Sequence, residues 1–191
     1  MDSKKVNIEL LIIACSAGGM MLLMDLLGSL KQYIHFSVLV IVHRNDKFQS
    51  SLEQMAQQKC SLQVKQVEEK ESLQPGVVYF APAGYHVLVE DNKTISLDVS
   101  EPVNYCRPSI DVTMQSAAEV YKEKVAAILL SGANTDGAEG MRAIYSYGGI
   151  TLVQNPNDAE VDVMPRAAIA TKAVNSVFSD EQLKKYCQEL L

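Results

Sequence analysis

Three polar residues of complementary chemistry each follow a short apolar run. Ser16 follows Leu10–Ala14, His43 follows Phe36–Val42, and Asp136 lies in the Ser131–Gly137 loop just beyond Val125–Leu130. A serine hydroxyl is a weak nucleophile at neutral pH and needs a base within hydrogen-bond reach, and the base needs a carboxylate to orient it. A histidine near its ordinary pKa can take the hydroxyl proton and return it to a leaving group. Ser16, His43 and Asp136 are therefore the candidate nucleophile, general base and orienting acid. Each also has a plainer reading. Ser16 can cap a helix or help cradle an anion, His43 can be a loop histidine without a role, and Asp136 can cap the helix that starts near Gly137. The remaining candidates are weaker: His35 precedes a strand, His86 opens a hairpin arm, Asp111 suits a helix first turn, and Asp158 lies in a polar loop.

Whether the three can meet depends on the elements that carry them. Leu10–Ala14 and Val125–Leu130 are apolar throughout, Phe36–Val42 is apolar but for Ser37, and all three are too short for helices, so they read as strands buried on both faces. The small residues Cys15-Ser16-Ala17-Gly18-Gly19 separate the first strand from an apolar helix, Met20 to Leu30. Asp46 is placed to cap a helix reaching about Lys59. Leu62–Val67 and Val77–Ala81 read as strands, and Pro75-Gly76 as a turn. His86–Glu90 and Thr94–Val99 flank Asp91-Asn92-Lys93 as a hairpin. Helices are expected from Pro108 or Ser109 to about Lys122, from Ala138 to Tyr147, and from Met164 to about Lys172. Further strands fall at Ile150–Gln154 and Val174–Phe178, and Asp180 is expected to cap a terminal helix. Alternating strands and helices predict a three-layer α/β/α, doubly wound fold with a mainly parallel sheet and one inserted β-hairpin, as one domain over 1–191. In such a sheet ligands bind beyond the carboxyl ends of the strands, where all three candidates lie.

The 191 residues are enough for a sizeable core, and 48% apolar with 21% charged residues is ordinary for a globular chain. A net charge of −6 argues against nucleic acid as a partner. The four cysteines, Cys15, Cys60, Cys106 and Cys187, show no metal-ligand spacing and read as reduced thiols in a cytoplasmic protein. Glu9 and Asp25 bracket the first apolar stretch, and Gly18-Gly19 splits it, which argues against a signal peptide or membrane insertion.

At these residues the chain resembles the CheB-type protein-glutamate methylesterase catalytic domain of bacterial chemosensory systems. The likeness runs in order through Cys15-Ser16-Ala17-Gly18-Gly19, Val40-Ile41-Val42-His43, Pro75-Gly76 with Tyr79-Phe80-Ala81-Pro82, Pro102-Val103-Asn104 with Arg107-Pro108-Ser109-Ile110-Asp111, Asn134-Thr135-Asp136-Gly137, and Val163-Met164-Pro165-Arg166. The resemblance implies hydrolysis of glutamyl methyl esters on helical receptor regions with release of methanol, and in many members deamidation of glutamines. It places the catalytic residues on Ser16, His43 and Asp136, and the oxyanion donors on the backbone N–H groups near Ala17 and Ala133. It calls for no metal or organic cofactor. The implied partner is a methylated chemoreceptor-like protein, with a separate methyltransferase or histidine kinase as a further one. The chain departs from the family pattern at Arg44, where methionine is frequent, at Cys106, where histidine is common, and at Ala133-Asn134-Thr135, which replaces Met-Gly-Asn.

Members of this family in chemotaxis commonly carry an N-terminal receiver domain. The first strand here starts within a few residues of Met1, so a stand-alone esterase is expected. The alternatives are a non-catalytic ligand- or partner-binding module of a signalling system, and a serine esterase acting on another small ester.

Overall fold

A computed structural model describes residues 7–44 and 51–190. The strands are β1 (Leu10–Cys15), β2 (Ser37–Val42), β3 (Gln63–Gln66), β4 (Val77–Phe80), β5 (His86–Val89), β6 (Ile95–Asp98), β7 (Val125–Leu129), β8 (Ile150–Gln154) and β9 (Ser176–Phe178). The helices are α1 (Met20–Ser29), α2 (Leu52–Lys59), α3 (Ile110–Tyr121), α4 (Ala138–Ser146), α5 (Val163–Ala170) and α6 (Asp180–Glu189).

Alternate β1 residues point to opposite faces, and both faces are covered. Leu11, Ile13 and Cys15 join a core with side chains of α1, α2 and α6. Leu10, Ile12 and Ala14 join a second core with α3, α4 and α5. That is why the strand shows no polar alternation: neither parity meets water. Each Leu or Ile so buried contributes roughly 1.5–3 kcal/mol, an upper estimate for a chain that is partly collapsed when unfolded.

Seven strands form one sheet in the order β3-β4-β2-β1-β7-β8-β9, and every pairing within it is parallel. The helices lie in two layers, one on each face, which is the α/β fold anticipated from the sequence. The β5–β6 hairpin is a separate antiparallel pair. It packs Val87, Val89 and Ile95 into the core that holds α3, and Val89 N–H donates to Ser116 Oγ at 3.0 Å. Among the described residues, no helix is long and apolar enough to cross a membrane.

Several boundaries differ from the sequence-based expectation. β9 starts at Ser176 rather than Val174. The cap of α6 is Ser179, not Asp180: Ser179 has the extended backbone of a cap and forms a reciprocal capping box with Gln182. Asp180 is the first helical residue and accepts a hydrogen bond from Gln154 at 2.8 Å. The expected cap at Asp46 lies outside the described residues.

Candidate active site

The register brings the strand ends together. Cys15 pairs with Val42 and Ala14 with Leu129, so Ser16, His43 and Ser131 stand at matching heights just past their strands. The backbone ladder continues into them: His43 N–H donates to Cys15 O at 3.3 Å, and Ser16 N–H to Ser131 O at 2.9 Å. The chain leaves β1 toward β2 and later returns on its other side as β7. The rim above β1 is thus the point where the winding reverses and a crevice opens.

The turn after β1 is held from across the sheet. Ser131 Oγ lies 2.7 Å from Ala17 O and 3.0 Å from Val161 O, and accepts from Val161 N–H at 2.9 Å. Gly18 has φ +76°, and a Cβ there would sit 2.6 Å from Glu160 Cβ and 2.7 Å from Ser131 Oγ. Only glycine fits that backbone and that space. The residue capping α1 is Gly19, which offers no side chain, so Ser16 is not the helix cap. Ser16 is half-buried at the rim.

His43 and Asp136 meet directly. His43 Nε2 is 2.8 Å from Asp136 Oδ2. Asp136 is fully buried, yet its oxygens take four further hydrogen bonds. Ile110 N–H (2.6 Å) reaches Oδ2, and Ser109 Oγ–H (2.8 Å), Asp111 N–H (3.1 Å) and Asn104 Nδ2 (3.3 Å) reach Oδ1. Two of these donors are the free N–H groups opening α3, where a helix favours negative charge. Burial pushes the Asp136 pKa upward, but His43, the two amides and the Ser109 hydroxyl outweigh it and hold the carboxyl at about 2. Asp136 is therefore not the cap of its own helix. Burial pulls the His43 pKa down, whereas Asp136 and then Cys106 raise it, leaving it at about 9.

A supporting layer surrounds this pair. Asp111 Oδ1 accepts from Gly137 N–H (2.8 Å) and Gly140 N–H (2.7 Å) at the start of α4. Asn104 Nδ2 lies 3.0 Å from Asp111 Oδ2, which places one amide group between two carboxylates. Burial raises the Asp111 pKa to about 6, with the nearby Asp136 charge adding to it against the α4 amides. His86 is buried. Its Nδ1 accepts from Ser109 N–H at 3.2 Å, and its Nε2 lies 3.1 Å from Glu101 O. The hairpin histidine thus supports the Asp136 donor from below. Sequence reasoning missed these roles of Asn104, His86, Ser109 and Ser131. The one available signal was the density of polar residues in Asn104–Asp111, at the start of a helix.

Asn104 and Tyr105 both have left-handed backbones, with φ 51° and 62°. Val103 and Cys106 exchange backbone hydrogen bonds across them, the geometry of a primed two-residue hairpin turn. The turn aims Asn104 at the carboxylates and leaves Tyr105 fully exposed. It sets Cys106 Sγ 3.3 Å from His43 Nδ1. Asn134 Nδ2 approaches the same sulfur at 3.1 Å.

Of the residues expected from the sequence, His43 and Asp136 are joined directly. Ser16 stands beside them on the next strand end, and among the described residues no hydrogen bond links its hydroxyl to His43. The N–H groups of Ala17 and Ala133 donate to no acceptor among the described residues, and both residues are exposed. Asp158 N–H closes a turn onto Asn155 O at 2.9 Å. His43, Cys106 and Asp136 have ligand-type atoms within 4.8 Å of one another. However, Asp136 already accepts five hydrogen bonds, which leaves His43 and Cys106, fewer than the three or four protein ligands zinc takes.

A parallel sheet with an aspartate holding a histidine at its carboxyl rim occurs in several hydrolase classes, and likeness over the whole chain decides among them. The CheB methylesterase family model covers residues 11–187, and the chain belongs to that family. A Leptospira interrogans protein, provisionally named a protein-glutamate methylesterase/protein-glutamine glutaminase, is 38% identical over 178 residues, 93% of this chain and 92% of that protein. The protein-glutamate methylesterase/protein-glutamine glutaminase of Symbiobacterium thermophilum is 33% identical over 169 residues, 88% of this chain and 47% of that longer protein. The solved Thermotoga maritima CheB methylesterase catalytic domain superposes with a TM-score of 0.90 at 29% identity, over 97% of this chain and 100% of that one.

Proposed function

We propose that this protein hydrolyses glutamyl methyl esters on the cytoplasmic helices of bacterial chemoreceptor-like signalling proteins, releasing methanol. The observation that carries this reading is the His43–Asp136 pair at the strand rim beside Ser16. Ser16 Oγ attacks the ester carbonyl while His43 Nδ1, the nitrogen not taken by Asp136, accepts its proton. The same proton then goes to the departing methoxide. Water repeats the sequence on the acyl-serine and frees the glutamate. Asp136, already ionised, fixes the imidazole tautomer and favours the imidazolium formed in each transition state. The unclaimed N–H groups of Ala17 and Ala133 suit the oxyanion. Glutamine deamidation follows the same course with ammonia leaving, and the name of the Leptospira relative supports it. A separate methyltransferase or histidine kinase of the same signalling system is a further partner.

The test is methanol release from a methylated receptor fragment by wild type and Ser16→Ala. Turnover by wild type and its loss by several orders of magnitude in the variant support the reading. A wild-type protein that labels with a fluorophosphonate but releases no methanol has the chemistry with another ester as substrate. One that does neither is a binding module.

A further inference from the structure

The only His43 nitrogen not held by Asp136 faces a thiol. Cys106 Sγ is 3.3 Å from Nδ1, Nε2 is 2.8 Å from Asp136, and the three groups form a continuous thiol–imidazole–carboxylate chain. Asn134 Nδ2, 3.1 Å from the sulfur, offers a hydrogen-bond donor to it. The primed turn at Asn104-Tyr105 holds Cys106 in place, and Cys106 is half-buried at the rim rather than enclosed. The other cysteines, Cys15, Cys60 and Cys187, are buried, and among the described residues no hydrogen bond joins their sulfurs to a histidine. A nucleophile bonded to a base that is oriented by a third group is the arrangement that activates sulfur and oxygen alike.

We propose that Cys106 is a second nucleophile served by the same general base, able to take the acyl group of an ester as a transient thioester. The proposal rests on the esterase reading of this site but not on which ester is the natural substrate. One proton lies between Sγ and Nδ1. As sulfur attacks the ester carbonyl, the S–C bond forms and that proton resides on Nδ1. The C–O bond to the alcohol breaks, and the proton leaves with the alkoxide. Water then attacks the thioester and gives a proton to Nδ1. The carboxylic acid departs, and the proton returns to the Sγ–Nδ1 pair. Cys106 and Ser16 would share one base, so the acyl group can rest on either.

The experiment uses p-nitrophenyl acetate on the full chain. Ser16→Ala removes the competing hydroxyl without touching the thiol chain. The expected result is a burst of p-nitrophenolate with an acetyl group on the peptide containing Cys106, released by neutral hydroxylamine, with the three buried cysteines as internal controls. In Ser16→Ala/Cys106→Ala the burst disappears. In Ser16→Ala/His43→Gln acetylation of Cys106 slows by about a hundredfold, the scale of general-base assistance. Far-ultraviolet circular dichroism and melting curves verify that each variant is folded. The proposal is overturned if Cys106 stays unmodified in folded Ser16→Ala, or if the His43→Gln change leaves its acetylation rate unaltered, which would mark a merely accessible thiol. Failure of the methylesterase reading is seen separately, as acetylation of Cys106 without methanol release from methylated receptor.

Discussion

Asp111 and Asp136 each bind the first turn of the other's helix. Asp136, which precedes α4, accepts the N–H groups of Ile110 and Asp111 at the start of α3. Asp111, in the first turn of α3, accepts the N–H groups of Gly137 and Gly140 at the start of α4. The exchange satisfies helix-end donors that would otherwise be buried without partners. It also fixes the carboxylate that meets His43. The exchange thus serves the packing of α3 on α4 and, on the proposed mechanism, the chemistry at the rim.

Asp136→Asn is expected to damage both. The amide keeps one acceptor oxygen but turns an NH2 group toward buried donors, and His43 loses its charge partner. Breaking a buried pair of this kind costs roughly 3 kcal/mol. Turnover should fall on the order of 10³–10⁴-fold because the imidazole tautomer is no longer held. Urea denaturation and methanol release measure the two effects. Full activity in a folded variant would remove Asp136 from the mechanism.

The two shifted groups predict the pH dependence of stability. Asp136 is held at about 2, below its ordinary 3.8. Its contribution, about 2 kcal/mol, is present above pH 3.8 and lost as pH falls through 2. His43 is raised from 6.5 to about 9. Its contribution is complete below pH 6.5 and lost as pH rises through 9. The two contributions share one contact and do not add. Urea midpoints of the wild type should decline between about pH 6 and pH 10, and those of His43→Gln should lack that component.

The same His43 shift sets the rate profile. A general base must be unprotonated, so kcat/KM should rise with pH along a limb centred near 9. Cys106 is among the groups that raise His43, so Cys106→Ala should move the limb to lower pH. A limb that stays in place in this variant would mean that the thiol does not act on the histidine.

Gly18→Ala tests the turn that carries Ser16. The substitution forces a left-handed backbone and brings its Cβ within 2.7 Å of both Glu160 and Ser131 atoms. A loss of about 2 kcal/mol or more is expected, together with reduced turnover as Ser131 is displaced from Ala17. Thermal melting and the esterase assay check both. A neutral result would mean that the turn accommodates a methyl group.

Tyr105→Gly should act in the opposite direction on stability. Tyr105 has φ 62° and a fully exposed side chain, so glycine relieves backbone strain without losing packing. A gain on the order of 0.5–1 kcal/mol is expected, less the entropy glycine costs. If kcat/KM toward a receptor fragment falls while the melting temperature rises, Tyr105 contacts the substrate.

The element types and the sheet were legible because β1 and β7 are apolar at every position and β2 at every position but Ser37, a pattern that strands buried on both faces show at that length. The rim residues were legible because each stands one or a few positions past such a strand. Strand order was not, since it depends on pairings between segments far apart in the chain. The partners of Asp136 were hidden for the same reason: Asn104, Ser109 and Ile110 approach it only when α3 packs on α4. The cap of α6 was misread because Ser179 and Asp180 are both good cap residues, and backbone angle decides between them.

The sequence by itself determined which residues could do chemistry and that they fall at strand ends, through local patterning that short-range sterics and burial enforce. Only the tertiary structure decided who touches whom. It joined His43 to Asp136, set Cys106 rather than Ser16 against the free imidazole nitrogen, and exchanged helix ends between Asp111 and Asp136. Those contacts bridge up to 93 positions of chain. They exist because burying both faces of one sheet brings distant segments to a common rim.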